Sequence, residues 1–385
     1  MTVTLQAGSG PQPEQAAADL RDCGPQGCDL DWLSSARIET EVDDVAAFSQ
    51  FALEQGWGDG MPLIPPTEAR VRDFLGNGNR YADELICTLP PQGGECTVEK
   101  IAINAVMAGA RAESLPLIIA ALEAMAHPDF ELFGQNTTTA PVYPVTIVNG
   151  PIRDRLDIPY GHGCLGGAAT QAAAIGRAIR LIMRNIAGQV PGITSQTTFG
   201  SPGRVAGVVF GEWEERSPWA PFAERRGVKG DAVSVYGTMG TMNVLDTVSQ
   251  KGHEFVEMIG KSLAYPGANG LTPCMPFAEI LLAINPVWAQ IIHRDIPALE
   301  DVQQMLWERT AMDAGHLTAR HREQLESLGR VSNGKVYVVT EPRDVMIVCC
   351  GGGGGLHATG FHSFGSSLTQ TVAIKSGPDN TQEKT

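Results

Sequence analysis

The chain has 385 residues, 43% of them hydrophobic and 18% charged, with 44 glycines and 25 prolines; such a composition excludes a disordered chain and fits a loop-rich globular protein of one large domain, or of two that share a core. Its 43 acids against 28 bases give a formal net charge of -15 without any basic run, which argues against nucleic acid as a partner. The opening MTVTLQAGSGPQPEQAAADL lacks the basic start and apolar core of a secretory signal, and no later apolar run approaches membrane length, so a cytoplasmic protein with no membrane contact is expected.

Residues 1–30 read as a flexible leader. Cys23 and Cys28, in CGPQGC, fit neither a CxxC redox pair nor a zinc set and are expected to be spare surface thiols. A helix is expected over 42–55, then a Gly/Pro loop, GWGDGMPLIPPT, that ends on Thr67 as N-cap of EARVRDFL. Helices at 98–108 and 114–126 precede the β-rich VYPVTIVNG, 142–150, which closes on an Asn-Gly turn signal. A glycine-rich turn, GHGCLGG, then opens a helix of roughly five turns on which Ile175, Ile179, Ile182 and Ile186 make one apolar stripe and Arg177, Arg180 and Arg184 share a face expected to be solvated. Further strands are expected at 205–210, 232–236, 280–284, 336–339 and 345–349, with helices at 243–263 and 299–312. Residues 376–385 read as a flexible tail. Strands and helices mostly alternate, so the expected fold is α/β: a mixed sheet with flanking helices, in two sub-domains sharing a core, a main one over 31–275 and a C-terminal one over 276–375.

Two glycine turns concentrate the chemistry. The first is Gly161-His162-Gly163-Cys164-Leu165-Gly166-Gly167, which spells GxGxxG but follows its strand too distantly for a dinucleotide site. What it does offer is a thiol just ahead of a helix N-terminus, where the dipole and free N–H groups favour thiolate, with His162 two residues away to take the proton. The second is VMIVCCGGGGGLHATGFHSFG, 345–365: a strand fully covered on both faces runs into Gly351 to Gly355, at the strand end where open α/β sheets bind ligands. Gly352 and Gly353 allow backbone N–H groups close to an anion, and His357, His362 and Ser363 are expected at the rim. Neighbours in a strand point to opposite faces, so at most one of Cys349 and Cys350 enters the site. The eight cysteines are too dilute for a disulfide scaffold.

Supporting candidates are Asp59 in the GWGDG loop as a proton acceptor, metal ligand or turn-former, Asn104 as a buried amide whose partners are substrate or backbone, and Thr138 in QNTTTAPVYP as a hydrogen-bonding rim or a capped turn. His253 and Glu257 lack the second histidine of a zincin helix.

The blocks GWGDGMPLIPPTEARV, TIVNGPIRDRLDI, IGRAIRLIMRNIAG and INPVWAQIIHRDIPALEDVQQMLWE, with the terminal glycine run, resemble the long bacterial proteins associated with the UGSC-type selenoprotein group, over 45–370. The resemblance implies thiol- or selenol-linked chemistry, with a small partner protein. The chain departs from it in having no Cys-Gly-Ser-Cys string, and in having Leu356 where a basic residue is expected before the histidine of the terminal loop.

The expectation is therefore a small-molecule enzyme on an anionic substrate, with Cys164 as nucleophile or redox thiol, His162 or His357 as acid and base, and backbone N–H groups of both turns lining one pocket. No cofactor is required by the sequence. One alternative is a metal-dependent hydrolase or lyase using His357 and His362; another is a non-catalytic subunit that docks a small partner protein, or a copy of itself, through the Arg stripe and EWEERSPWAPF.

Overall fold

The computed structural model describes residues 2–4, 33–39, 44–76, 80–275, 277–365 and 367–375. The expected leader apart from residues 2–4, the expected tail, and Cys23 with Cys28 lie outside the described residues.

The N-terminal half is helical where its sequence is amphipathic and capped. Asp44 accepts from the Ala47 N–H at 2.8 Å and starts α1, Val45–Glu54; Thr67 precedes α2, Glu68–Gly76. The hairpin β1, Leu85–Leu89, and β2, Gly94–Thr97, leads into α3, Val98–Ala108, capped by Thr97, and α4, Leu115–Met125, follows. Both α3 and α4 are buried almost all round, as their apolar sequences require.

A seven-stranded mixed sheet is the centre of the molecule. Its strands are β3, Tyr143–Asn149; β4, Val208–Gly211; β5, Ala232–Leu245; β6, Ile280–Ile284; β7, Val345–Cys349; β8, His357–Ser363; and β9, Gln370–Ala373. Their order is β7-β6-β8-β5-β3-β4, with β9 paired to the first part of β5; β7 with β6 and β3 with β4 are parallel, the rest antiparallel. Strands from both expected sub-domains therefore share one sheet.

The sheet curls. Beyond the end of β4 the Trp213 N–H donates to the Cys349 carbonyl at 2.7 Å, and Arg225 donates to the Ile347 carbonyl at 2.6 Å, so the outer strands β4 and β7 are held together. The outer face is covered by two helical groups. α3, α4 and α5, Ala172–Asn185, pack on β3, β4 and the start of β5; α6, Gly252–Leu263, α7, Pro286–Asp295, and α8, Leu299–Arg309, pack on β6, β7 and β8. The inner face encloses a third apolar cluster, made of Val145, Ile147, Phe210, Tyr236, Leu281, Ala283, Val348 and Phe361 with Cys164 and Cys350.

Three expectations are corrected. β5 runs to Leu245 and α6 starts at Gly252 rather than 243, because the Asp246 carboxylate accepts from the N–H groups of Val248 and Ser249 at 2.8 and 3.0 Å and makes a turn there. The segment after the glycine run is a strand paired on both sides, not a rim loop. Its Gly360 is required by packing, since a Cβ there would meet Leu263 at 2.4 Å. Finally, the arginine face of α5 is not solvated: Arg177 and Arg180 are both buried.

Candidate functional site: two glycine turns and a thiol pair

The two glycine turns meet. Gly352 lies so close under the His162 ring that a Cβ on it would come within 2.1 Å of Nδ1, and the Gly351 N–H donates to the Tyr160 carbonyl at 2.8 Å. Gly163 has a φ of 69° and Gly167 of 77°, left-handed values that bend the chain through a short 3-10 turn, Cys164–Gly166. That bend points the Cys164 side chain into the inner cluster beside Cys350, which follows β7. Cys349 faces the other side, among the residues under α6 to α8. Strand alternation thus selects Cys350.

The two thiols differ in acidity. The Cys350 thiol, placed to donate to the Cys164 sulfur, holds Cys164 below the ordinary thiol value; this outweighs burial, and the N–H groups of Gly351, Leu165 and Cys164 itself add to it. Cys350 is pushed well up by the same contact and by burial. Two sequence expectations change here. α5 begins only at Ala172, so the backbone of the 3-10 turn, and not the α-helix dipole, lies at the sulfur. His162 is exposed on the outer side of Gly352 and is not among the groups that set the acidity of Cys164.

Both sulfurs are buried, Cys164 at 3% exposure and Cys350 at 3%. One residue further along, Leu165 packs against the inner cluster and also lines a cavity of about 570 Å³. The cavity is walled by the 3-10 turn, the first residues of α5, the loop around Ser201 and Gly203, and the strand residues Thr241, Asn243 and Thr359. None of its lining residues is charged, and Ser201 Oγ is buried without a hydrogen-bond partner. The cavity wall thus carries no carboxylate in a chain of charge -15, and α5 opens onto it with Ala172 and Ala173.

The remaining candidates divide. His357 is exposed, with Nδ1 3.1 Å from Asn243 Oδ1, which places it at the cavity's edge. His362 and Ser363 are at the far end of β8, about 17 and 20 Å from His357 at strand rise. His362 shares a face with Ile280 and packs edge-on to Tyr265; burial pushes its pKa down to about 4. Ser363 Oγ accepts the Glu279 N–H at 2.8 Å and is structural. His357 and His362 lie five positions apart on one strand and so project from opposite faces, which prevents their sharing a ligand. Among the described residues no three His, Cys, Asp or Glu side chains gather around a point suited to a metal ion.

Asp59 is a clamp, not a proton acceptor in the site. It takes both ends of the Arg177 guanidinium at 2.8 Å, and although burial alone would raise its carboxyl, the arginine and the Met61 N–H hold it below the usual value. Asn104 donates to the Lys100 carbonyl at 2.9 Å and accepts from Asn185 at 2.7 Å, on the wall of a separate cavity. Thr138 Oγ1 accepts from the Ala140 N–H at 3.2 Å and ends a short helix; it is absent from the cavity wall. Gly353 is exposed with open space around its α-carbon.

Sequence reasoning missed Glu212. Its carboxyl is fully buried, Oε2 accepts from Asn149 at 2.7 Å and from the Phe222 N–H at 2.5 Å, and Oε1 has no hydrogen-bond partner. Burial raises it, offset in part by Arg225 at 3.9 Å, and its charge would bear on Cys350. The only signal was position: one acidic residue directly after the apolar run VVFG. The segment that follows is occupied within the chain, Trp213 packing on Tyr160 and Trp219 on His293.

The sequence matches no protein-family model, and no curated protein matches it.

Proposed function

We propose that the chain is a small-molecule enzyme of thiol-linked redox chemistry, in which Cys164 is the attacking thiolate and Cys350 the resolving thiol. The observation that carries this reading is the pairing of the two sulfurs in one inner cluster across two glycine turns distant in sequence. The uncharged cavity beside Leu165 supports a small anionic substrate.

For a disulfide substrate the atoms balance as follows. The Cys164 thiolate attacks one sulfur, the substrate S–S bond breaks, and the departing thiolate takes a proton from solvent or from His357 at the edge. Cys350 then attacks the Cys164 sulfur, its proton passing to the second leaving thiolate. The protein gains one disulfide and the substrate becomes two thiols. We assign the buried Glu212 carboxyl, whose charge bears on Cys350, as the group that carries the Cys350 proton in transit.

The test is to mix reduced protein with an aromatic disulfide that releases a coloured thiolate and to map the cysteines afterwards. In the wild type Cys164 and Cys350 end joined; in Cys350→Ser the reaction stops with the aromatic thiol on Cys164. A Cys164 that stays unmodified under conditions in which other thiols react would sink the reading.

A further inference from the structure

The hairpin of β1 and β2 carries a second pair of thiols, and the conclusion drawn from them does not rest on the reading above. Cys87 and Cys96 are direct partners in the antiparallel register, with Thr88 opposite Glu95 and Leu89 opposite Gly94 on one side and a register shift between Leu85 and Cys87 on the other. Directly opposed residues of an antiparallel pair have Cα atoms about 4.5 to 5.5 Å apart, inside the range a disulfide spans. Cys87 is half-buried and Cys96 fully buried, so Cys87 is the residue of the pair with surface open to solvent.

We propose that Cys87 and Cys96 form a second, independent dithiol site, which a small disulfide oxidises to a cross-strand disulfide. The Cys87 thiolate, its proton given up to solvent, attacks the small disulfide, whose S–S bond breaks and releases one thiolate that takes a proton from solvent; Cys96 attacks the Cys87 sulfur and releases the other, its own proton going to that leaving group. Two features favour this order. The Cys96 thiol is placed to donate to the Cys87 sulfur, which lowers Cys87 against the opposing effects of burial and of Glu123; Cys96 is itself raised by that contact and by burial. The hairpin is also held in place: the Gln92 N–H donates to the Ala187 carbonyl, and a Cβ on Gly94 would meet the Ile186 carbonyl oxygen at 2.0 Å. The two strands therefore cannot slide out of register without leaving α5.

The site has a second consequence. Gln92, Gly94 and Glu95, at the turn of the hairpin, wall the cavity of about 260 Å³ that Trp57, Lys100 and Asn104 complete. A bond between Cys87 and Cys96 ties the strands that carry that wall.

The experiment is oxidation of the reduced, folded full-length chain by oxidised glutathione, then blocking of free thiols and peptide mapping. Both cysteines fall in one tryptic peptide, 81–100, with neither Lys nor Arg between its ends, and Cys164 and Cys350 fall in others. The expected result is that peptide 81–100 becomes lighter by two hydrogens and takes no blocking label. After cleavage at Glu95 its halves stay joined until a reductant is added, and in Cys96→Ser the glutathione adduct accumulates on Cys87 instead. A peptide that keeps two labelled thiols, or a stable glutathione adduct on wild-type Cys87 with Cys96 still free, overturns the proposal.

Discussion

A thiol taken out of water is normally driven towards its neutral form, and Cys349 shows the effect, raised to about 12 by burial and by the charge of Glu212. Cys164 is buried as deeply yet shifted the other way, so the difference lies in what touches the sulfur: a donor thiol and backbone N–H groups. The first prediction belongs here. The rate of Cys164 alkylation should inflect below the ordinary thiol range, since a depressed pKa keeps the thiolate populated as pH falls. Cys350→Ala removes the donor and should move the inflection upward, by about one pH unit for each 1.4 kcal/mol of lost interaction. An inflection that Cys350→Ala leaves in place would contradict the assignment. Glu212→Gln, which keeps the shape and the hydrogen bond to Phe222, should slow closure of the disulfide at neutral pH and alter its pH profile while leaving the attack on a disulfide by Cys164 unaffected. Rates of the two steps in rapid mixing separate these effects.

Strands and turns set where those atoms stand. β8 carries the clearest pH signature. His362 is neutral, packed on Tyr265, and its pKa of about 4 lies under the ordinary 6.5. The unfolded chain binds the proton first as pH falls, so stability present above 6.5 should be lost down to about 4, by a few kcal/mol in all. His362→Phe keeps the ring contact without the charge. Its unfolding free energy, measured by denaturant titration across that window, should fall less with acid than that of the wild type; parallel curves would refute the burial argument. Long strands and helices with continuous apolar faces were legible in the sequence: β6, β7 and α3 have the expected bounds, and the isoleucine stripe of α5 is buried. β8 was not legible, because HATGFHS alternates too weakly and its glycine, which reads as a breaker, is the space Leu263 needs. The same rule of alternation that hid β8 explains why His362 and His357 part company.

At the scale of the whole molecule the curl of the sheet makes the site, and a sequence carries little sign of it. GHGCLGG and the run at Gly351 were recognisable as special turns that meet, but both were expected to line one pocket, and the cavity takes Leu165, Gly166 and Gly167 from the first and no residue of Gly351 to Gly355; its wall from Thr241, Asn243, Thr359 and Ser201 was not legible, since those residues meet only after β5 and β8 pair and the Ser201 loop folds over. The arginine stripe was misjudged for a related reason: Arg177 finds its carboxylate on a loop more than a hundred positions away in the chain. That clamp fastens α5, which leads out of the Cys164 turn, to the loop after α1. Asp59→Ala leaves the buried guanidinium without its partner and should cost about 3 to 5 kcal/mol in unfolding free energy; a loss under about 1 kcal/mol would show the pair to behave as an exposed one.

The account stands or falls on whether the sulfurs of Cys164 and Cys350 are neighbours in the folded chain. The direct measurement is non-reducing tryptic mapping after mild oxidation of native protein. The two cysteines lie on separate peptides, 156–177 and 344–375; the account predicts that these become linked to each other through Cys164 and Cys350, with Cys349 still free. Recovery of both as unlinked peptides, or a link through Cys349, would contradict it.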